Sequence, residues 1–180
     1  MIEIRWHGRG GQGAFTAARL LGQAVSIYEG KYAQAFPSFG PERRGAPVLA
    51  FTRISDDNIY DHSEVEDCDY VVVLDETLYG PPVKLGLKKG GVLVMNTTKA
   101  ASAFEIDGVK VVTIDAISLA LKITKRPITN VSMLGALVAA TGIGKLDSVC
   151  KAIDNQFSSV IRETNKKLLL ESYNCIKGGK

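Results

Sequence analysis

The chain has few of the residues that hold metals or redox clusters. Its 180 residues include two histidines and three scattered cysteines, Cys68, Cys150 and Cys175. Without a CxxC pair, the chain alone does not supply the four thiolates of an iron–sulfur cluster. An odd cysteine count also argues against a disulfide framework. We therefore predict that this chain holds no metal or cluster.

The chain also lacks long apolar segments and a strong charge of one sign. No run approaches the roughly 18 apolar residues of a membrane span. The N-terminal MIEIRW contains no apolar signal stretch. The net charge of +3 is too small to indicate a nucleic-acid surface. These absences predict a cytoplasmic protein that binds neither membrane nor nucleic acid, with residues 1–180 forming a single domain.

Apolar patterns typical of strands and helices alternate along the chain. Between Gln12 and Tyr28 apolar residues recur at three- and four-residue steps, and Gly30 follows as a C-terminal glycine. Short continuous apolar runs between helix-length segments are typical of a parallel sheet. We predict strands at residues 2–6, 31–35, 48–54, 70–74, 92–95 and 109–114, helices at residues 12–28, 75–79, 83–87, 116–122 and 131–141, and a last amphipathic helix that carries apolar residues from Phe157 to Tyr173. The predicted fold is α/β, an open, mostly parallel Rossmann-like sheet with helices on both faces.

The segment GRGGQG lies between the first strand and the first helix. Glycines in this position allow a tight turn, and they let the backbone N–H groups of the helix start approach a phosphate. An NAD site would also need an acidic residue roughly 20 positions further on, and no Asp or Glu occurs from Gly30 to Pro41. Two interpretations remain, an anion site and a turn that only packs strand against helix. The candidate cofactor-binding residues are Gly8, Arg9, Gly10, Gly11 and Gly13.

A second segment, FPSFGPERRGAP at residues 36–47, combines two Phe, three Pro, two Gly and two adjacent Arg. Aromatic side chains and arginines are enriched where proteins bind one another, and Arg also pairs with phosphate or carboxylate through two hydrogen bonds. We predict an interface loop rather than a solvated turn. Its candidate partner-binding residues are Phe36, Phe39, Arg43 and Arg44.

Polar residues follow three of the predicted parallel strands. Asp75, Asn96 and Asp115 stand where ligands collect in open α/β sheets, but Asp and Asn are also preferred helix N-caps. We favour capping over a ligand cleft. No Ser–His–Asp or Cys–His pairing can be argued from spacing, so the sequence predicts no catalytic residue.

Several segments together resemble one enzyme family. IRWHGRGGQGAFTAARLL, KYAQAFPSFGPERRGAPVLAFTRI, CDYVVVLDETL and NVSMLGALV are similar to the gamma subunit of pyruvate:ferredoxin oxidoreductase (pyruvate synthase) and of related 2-oxoacid enzymes. The similarity extends from about residue 2 to residue 142. The form PSFGPERRGAPV resembles the pyruvate and branched-chain types, and gamma chains can be shared between enzymes of one cell.

The resemblance implies a subunit of a larger enzyme. Such a complex decarboxylates a 2-oxoacid on thiamine diphosphate, passes electrons through iron–sulfur clusters to ferredoxin, and forms acyl-CoA. This chain lacks the GDG…N signature of a thiamine diphosphate and Mg²⁺ site, so the resemblance places those cofactors and the clusters on alpha-, beta- and delta-type partners. It further implies that the isolated chain is inactive and that the assembled enzyme uses CoA as co-substrate. Because a strand–glycine–helix start presents N–H donors to an anion, we expect the turn from Gly8 to Gly13 to help bind a phosphate-bearing part of CoA, at a junction with another subunit. The alternative is a free-standing nucleotide-binding protein, either an NAD-linked enzyme or a sensor.

Overall fold

The strands and most of the helices follow one another in the order that the apolar pattern predicts. The structure is a computed structural model that describes residues 1–38 and 44–178. Its strands are β1 (Ile2–Arg9), β2 (Tyr32–Pro37), β3 (Pro47–Ser55), β4 (Cys68–Val73), β5 (Leu87–Asn96) and β6 (Lys110–Ile114). Its α-helices are α1 (Ala14–Glu29), α2 (Pro81–Lys84), α3 (Ala116–Thr124), α4 (Asn130–Thr141), α5 (Leu146–Gln156) and α6 (Ser159–Gly178), with 3₁₀ turns at Glu76–Leu78 and Ala101–Phe104.

The strands of the described ranges form one sheet in the order β2-β3-β1-β4-β5-β6. The β1–β4, β4–β5 and β5–β6 pairs are parallel, whereas β3 is antiparallel to both β1 and β2. It follows that β3 alone runs against the other strands, because β2 returns to the direction of β1. The predicted open, mostly parallel α/β sheet is confirmed.

The two faces of the sheet are covered by different elements. The five longer helices, α1 and α3 to α6, share one hydrophobic core with the β1 side chains Ile4 and Trp6. On the other face, Phe51, Val71 and Leu93 pack beneath α2, the 3₁₀ turns and residues 56–67. Helical segments therefore lie on both faces, with the longer helices on one of them.

The second face also buries charged and ionisable groups. Arg5 and His7 project there from β1, and they are 6% and 5% exposed. The Arg5 guanidinium donates to backbone carbonyls of Glu66, Pro82, Val83 and Leu85, and its Nε donates to His7 Nε2 at 3.1 Å. Burial, and to a smaller extent the charge of Arg5, lowers the pKa of His7 from 6.5 to about 3.

The short segments after β4 differ most from the prediction. The predicted helix at 75–79 is a 3₁₀ turn, and the one at 83–87 is wrong in its bounds, since α2 ends at Lys84. The chain leaves the helix at Leu85, which is extended, and Gly86 follows with φ +72 at a position where a Cβ would lie 1.9 Å from the Glu66 carbonyl oxygen. Helix α5 was not predicted, although Val149, Ala152 and Ile153 are buried at helical spacing. The last helix begins at Ser159, after Phe157.

The polar residues at the strand ends act mainly as caps. Asp75 accepts the Thr77 N–H at 3.0 Å, and Asp115 accepts the Ser118 N–H at 2.9 Å at the start of α3. The prediction of capping is confirmed for both. Asn96 instead links two elements, since its amide donates to Leu74 O and accepts from Ala116 N. Across the described ranges, the helices are too short or too polar to cross a membrane.

Candidate anion-binding cleft

The two sequence motifs meet at the carboxyl end of β1. The Gly10 N–H donates to the Ala46 carbonyl at 2.8 Å, and the Gly45 N–H donates back to the Gly10 carbonyl at 3.1 Å. These bonds continue the β1–β3 pairing, whose last register pair is Arg9 with Pro47. The glycine turn and the end of the predicted interface loop therefore belong to one site.

A cleft of about 650 Å³ opens at this junction. One wall is the turn and the first residues of α1, and the other is formed by the ends of β2 and β3. Its lining residues are Arg9, Gly10, Gly11, Gly13, Ala14, Phe15, Thr16, Pro37, Ser38, Arg44, Val48 and Leu49. All the candidate cofactor-binding residues except Gly8 line the cleft.

The start of α1 presents hydrogen-bond donors to this cleft. Gly13 is the N-cap residue, and the first helical bond runs from the Ala17 N–H to the Gly13 carbonyl at 3.1 Å. The N–H groups of Ala14, Phe15 and Thr16 find no acceptor among the described residues, as is normal for a first helical turn. Together with the positive end of the helix dipole, such donors favour an anion.

The glycines of the turn are needed for different structural reasons. A Cβ at Gly8 would lie 3.2 Å from the Ala14 Cβ, so Gly8 permits close packing of strand against helix. Gly13 adopts φ +78, and its Cβ would lie 2.5 Å from Asn130 Nδ2. Gly11 adopts φ +96, and a Cβ there would meet no described atom within 4 Å. Close packing therefore explains why glycine is needed at positions 8 and 13. At position 11, glycine is needed for its backbone conformation alone.

Arg9 is held by neighbouring groups rather than free in the cleft. Its Nε donates to Asp75 Oδ2 at 3.0 Å, and its two terminal nitrogens donate to the Thr77 hydroxyl and the Gly45 carbonyl. Gln12 closes the cluster, because its amide donates to Asp75 and accepts the Arg9 N–H at 2.8 Å. Arg9 thus fixes the glycine turn to the residues just before β3 and to those just after β4.

The same cluster keeps Asp75 ionised. Partial burial opposes ionisation, but hydrogen bonds from Thr77 and Gln12, together with the charge of Arg9, lower the pKa of Asp75. The carboxylate therefore neutralises Arg9 locally. Within residues 1–38 and 44–178, the positive groups that then face the cleft are the N-terminus of α1 and the exposed Arg44.

The predicted partner-binding residues separate in the structure. Arg44 is exposed and lines the cleft, whereas Phe39 and Arg43 lie outside the described residues. Phe36 is not in the loop but on β2, since that strand extends to Pro37. Its half-buried ring packs on Phe51 at a centroid distance of 5.2 Å and lies under the Arg53 guanidinium. Phe36 therefore already has core partners.

Sequence reasoning missed several residues of the site. Ser38 and Thr16 add hydroxyl groups to the lining, and Phe15 adds a ring that is 38% exposed. Asn130 contacts the turn from α4 although 117 positions separate it from Gly13. Asn130 begins the segment NVSMLGALV, which resembles the enzyme family, and this was the signal in the sequence that could have pointed to it. No local sequence pattern, however, shows that Asn130 contacts the glycine turn.

The described cysteines do not form a cluster site. Cys68 is buried on β4, Cys150 is half-buried on α5 and Cys175 is exposed on α6. Among residues 1–38 and 44–178, no three His, Cys, Asp or Glu side chains lie close enough to hold a metal ion. This donor set does not fit thiamine diphosphate–Mg²⁺ or an iron–sulfur cluster, and the location of those groups on partner chains stays a prediction.

Comparison with known proteins gives full-length matches. The chain matches the family model described as pyruvate ferredoxin/flavodoxin oxidoreductase over residues 3–175. The pyruvate synthase subunit PorC of Methanothermobacter marburgensis is 49% identical over 178 residues, which are 98% of this chain and 98% of that protein. The pyruvate/ketoisovalerate oxidoreductases common subunit gamma of Thermococcus kodakarensis is 49% identical over 97% of this chain and 96% of that protein.

Solved structures share the fold over nearly the whole chain. Pyruvate oxidoreductase subunit PORC of Thermotoga maritima matches with a TM-score of 0.85 and 42% identity, over 96% of this chain and 95% of that one. The 2-oxoglutarate:ferredoxin oxidoreductase of Magnetococcus marinus matches with a TM-score of 0.82 and 18% identity, over 99% of this chain and 31% of that one, which shows the fold alone. These relatives do not support a free-standing NAD-linked enzyme or sensor. This chain therefore belongs to the pyruvate ferredoxin/flavodoxin oxidoreductase family, and the curated relatives that it matches along nearly their whole length are gamma or PorC subunits.

Proposed function

We propose that this chain is the gamma subunit of a cytoplasmic, pyruvate-type 2-oxoacid:ferredoxin oxidoreductase. The complex converts a 2-oxoacid, CoA and oxidised ferredoxin to acyl-CoA, CO₂ and reduced ferredoxin. The observation that carries the proposal is the match to subunits of such enzymes over 96% or more of the chain. The relative from Thermococcus kodakarensis is named for both pyruvate and ketoisovalerate, which supports a substrate range of pyruvate and branched-chain 2-oxoacids.

In this proposal the chain forms one gamma-type domain and leaves the carbon and electron chemistry to its partners. Alpha-, beta- and delta-type chains hold thiamine diphosphate, Mg²⁺ and the iron–sulfur clusters. The scattered thiols of the described chain support this division, because they lie on three different elements. The isolated chain is then colourless and inactive.

The cleft at the glycine turn binds a phosphate-bearing part of CoA. Its volume of about 650 Å³ lies in the range of small-molecule sites. The N–H groups at the start of α1 and the Arg44 guanidinium supply donors and positive charge for a phosphate. The Magnetococcus enzyme that shares this fold is described with coenzyme A and succinyl-CoA bound. NAD fits this cleft less well, because residues 30–41 contain no Asp or Glu that could bind its ribose hydroxyls.

The loop between β2 and β3 contacts a neighbouring subunit. Arg44 is exposed at the rim of the cleft, and Gly45 and Ala46 pair with Gly10. A partner that docks on this loop would therefore also border the CoA site. We place the bound phosphate at a junction between subunits, with Arg44 in contact with the phosphate, the partner or both.

The experiment replaces Arg44 by Ala in the assembled complex. A hydrogen bond to a charged group contributes about 1.5 kcal/mol or more, so the KM for CoA should rise roughly tenfold while the KM for pyruvate stays unchanged. Size-exclusion chromatography of the co-expressed subunits measures assembly in parallel. The matched control is Arg126→Ala, which removes an exposed Arg that does not line the cleft.

Each readout tests one part of the proposal. If the Arg44 variant assembles normally and keeps its CoA dependence, Arg44 belongs to neither the CoA site nor the interface. If assembly weakens but the intact fraction keeps its KM for CoA, Arg44 serves the interface only. Activity of the isolated chain with pyruvate, CoA and ferredoxin would contradict the assignment of the chemistry to partner chains.

A further inference from the structure

The side chain of Asn130 is buried between the first turn of α4 and the glycine turn. Asn130 is 7% exposed. Its Oδ1 accepts the N–H of Val131 at 3.0 Å, and its Nδ2 lies 3.4 Å from the Gly13 carbonyl oxygen. The amide therefore joins two helix starts that are distant in sequence.

Gly13 and Asn130 are complementary in shape. Gly13 has φ +78, a conformation that L side chains rarely adopt, and a Cβ there would lie 2.5 Å from Asn130 Nδ2 and 3.1 Å from its Cγ. The Asn130 amide thus occupies the space that a side chain at position 13 would fill. The contact fixes the position of the Gly13 peptide group as well as the direction of its carbonyl.

The direction of this carbonyl determines the direction of a donor in the cleft. The peptide unit between Gly13 and Ala14 is planar and trans, so its C=O and N–H point in opposite directions. The Gly13 carbonyl points towards the Ala17 N–H at 3.1 Å and the Asn130 amide. The Ala14 N–H therefore points away from the helix, and Ala14 lines the cleft.

We propose that Asn130 is a positioning residue for CoA binding, which orients the Ala14 N–H towards a phosphate by holding the Gly13 carbonyl. The inference rests on the proposed binding of CoA in this cleft. Asn130 itself does not touch the ligand. Loss of its Nδ2 donor leaves the Gly13 carbonyl held by the Ala17 N–H alone, which loosens the alignment of the Ala14 N–H. Truncation of the side chain also opens a gap beside Gly13.

The test compares three variants in the assembled complex. Asn130→Ala removes the amide, and Asn130→Leu removes the donor while keeping the same number and branching of side-chain heavy atoms. Both should raise the KM for CoA roughly tenfold, the effect of losing one well-directed hydrogen bond to a charged group. The KM for pyruvate should stay within twofold of the wild type. Equilibrium titration of the complex with CoA should show the same roughly tenfold weakening.

Val131→Ala is the matched control. Val131 is fully buried on the same helix and belongs to the core rather than to the cleft. Truncation of this buried side chain should also destabilise α4, but it should leave the two KM values in their wild-type ratio. If Val131→Ala raises the KM for CoA selectively, general loosening of α4 explains the effect and the proposal is overturned.

The remaining outcomes separate this inference from the CoA assignment. If Arg44→Ala raises the KM for CoA and Asn130→Leu in an intact complex does not, the CoA site stands and the role of Asn130 is refuted. If neither changes the CoA dependence or the CoA affinity, the assignment of CoA to this cleft fails and the role of Asn130 fails with it. A selective rise in both supports both.

Discussion

The buried His7 makes the stability of the fold depend on pH in a calculable way. Its ring is 5% exposed and accepts a hydrogen bond from the Arg5 guanidinium at 3.1 Å. A proton on His7 would remove this acceptor and place two cations side by side, in keeping with its lowered pKa of about 3. In the unfolded chain the imidazole titrates near its ordinary value of 6.5.

The direction of this pH effect depends on whether the folded or the unfolded chain binds the proton. Between pH 6.5 and pH 3 the unfolded chain is protonated at His7 and the folded chain is not, so acidification favours unfolding. The free energy of unfolding is unaffected by this group above pH 6.5 and falls as the pH drops towards 3. At pH 5 the loss is about 2 kcal/mol, since each pH unit below the unfolded pKa contributes about 1.4 kcal/mol.

Urea unfolding of the isolated chain at pH 7.5 and pH 5.0 measures this loss, with the single tryptophan, Trp6, as the fluorescent probe. The wild type should lose about 2 kcal/mol more between the two pH values than His7→Gln, because Gln keeps an acceptor for Arg5 but does not titrate. The exposed His62 provides the control, and His62→Gln should follow the wild type. Equal losses in all three proteins would refute the reasoning.

Two further predictions concern the thiols and the contact between α4 and α6. Burial raises the pKa of Cys68 to about 11, so iodoacetamide at pH 8 should label the exposed Cys175 first and Cys68 only after unfolding, as read by mass spectrometry; similar rates would contradict this. Gly135→Ala should lower the free energy of unfolding by roughly 1–3 kcal/mol despite a better helix propensity, because its Cβ would lie 2.6 Å from the Leu169 carbonyl oxygen. Urea denaturation compares this variant with the control Gly22→Ala, whose Cβ would lie at an ordinary 3.5 Å from its nearest neighbour. Equal free energies of unfolding for the two variants would contradict the steric argument.

Features that depend on neighbouring residues could be predicted from the sequence. Apolar runs such as residues 70–74 specified strands buried on both faces, and Gly30 specified the end of α1, where it adopts φ +68. Asp75 and Asp115 were readable as caps because the N–H groups they accept lie two or three positions away. The segments around GRGGQG and GPERRGAP were sufficient to predict the family.

The way in which these local elements combine depends on contacts between distant residues. The direction of β3, the burial of His7 and the placement of Phe36 on β2 depend on which strands pair and which face is covered. The site depends on longer distances, since Asp75 reaches Arg9 across 66 positions and Asn130 reaches Gly13 across 117. No periodicity encodes such contacts. They arise because the parallel register brings the carboxyl ends of β1 and β4 to one edge of the sheet, and because packing of α4 against α1 places its first turn beside Gly13.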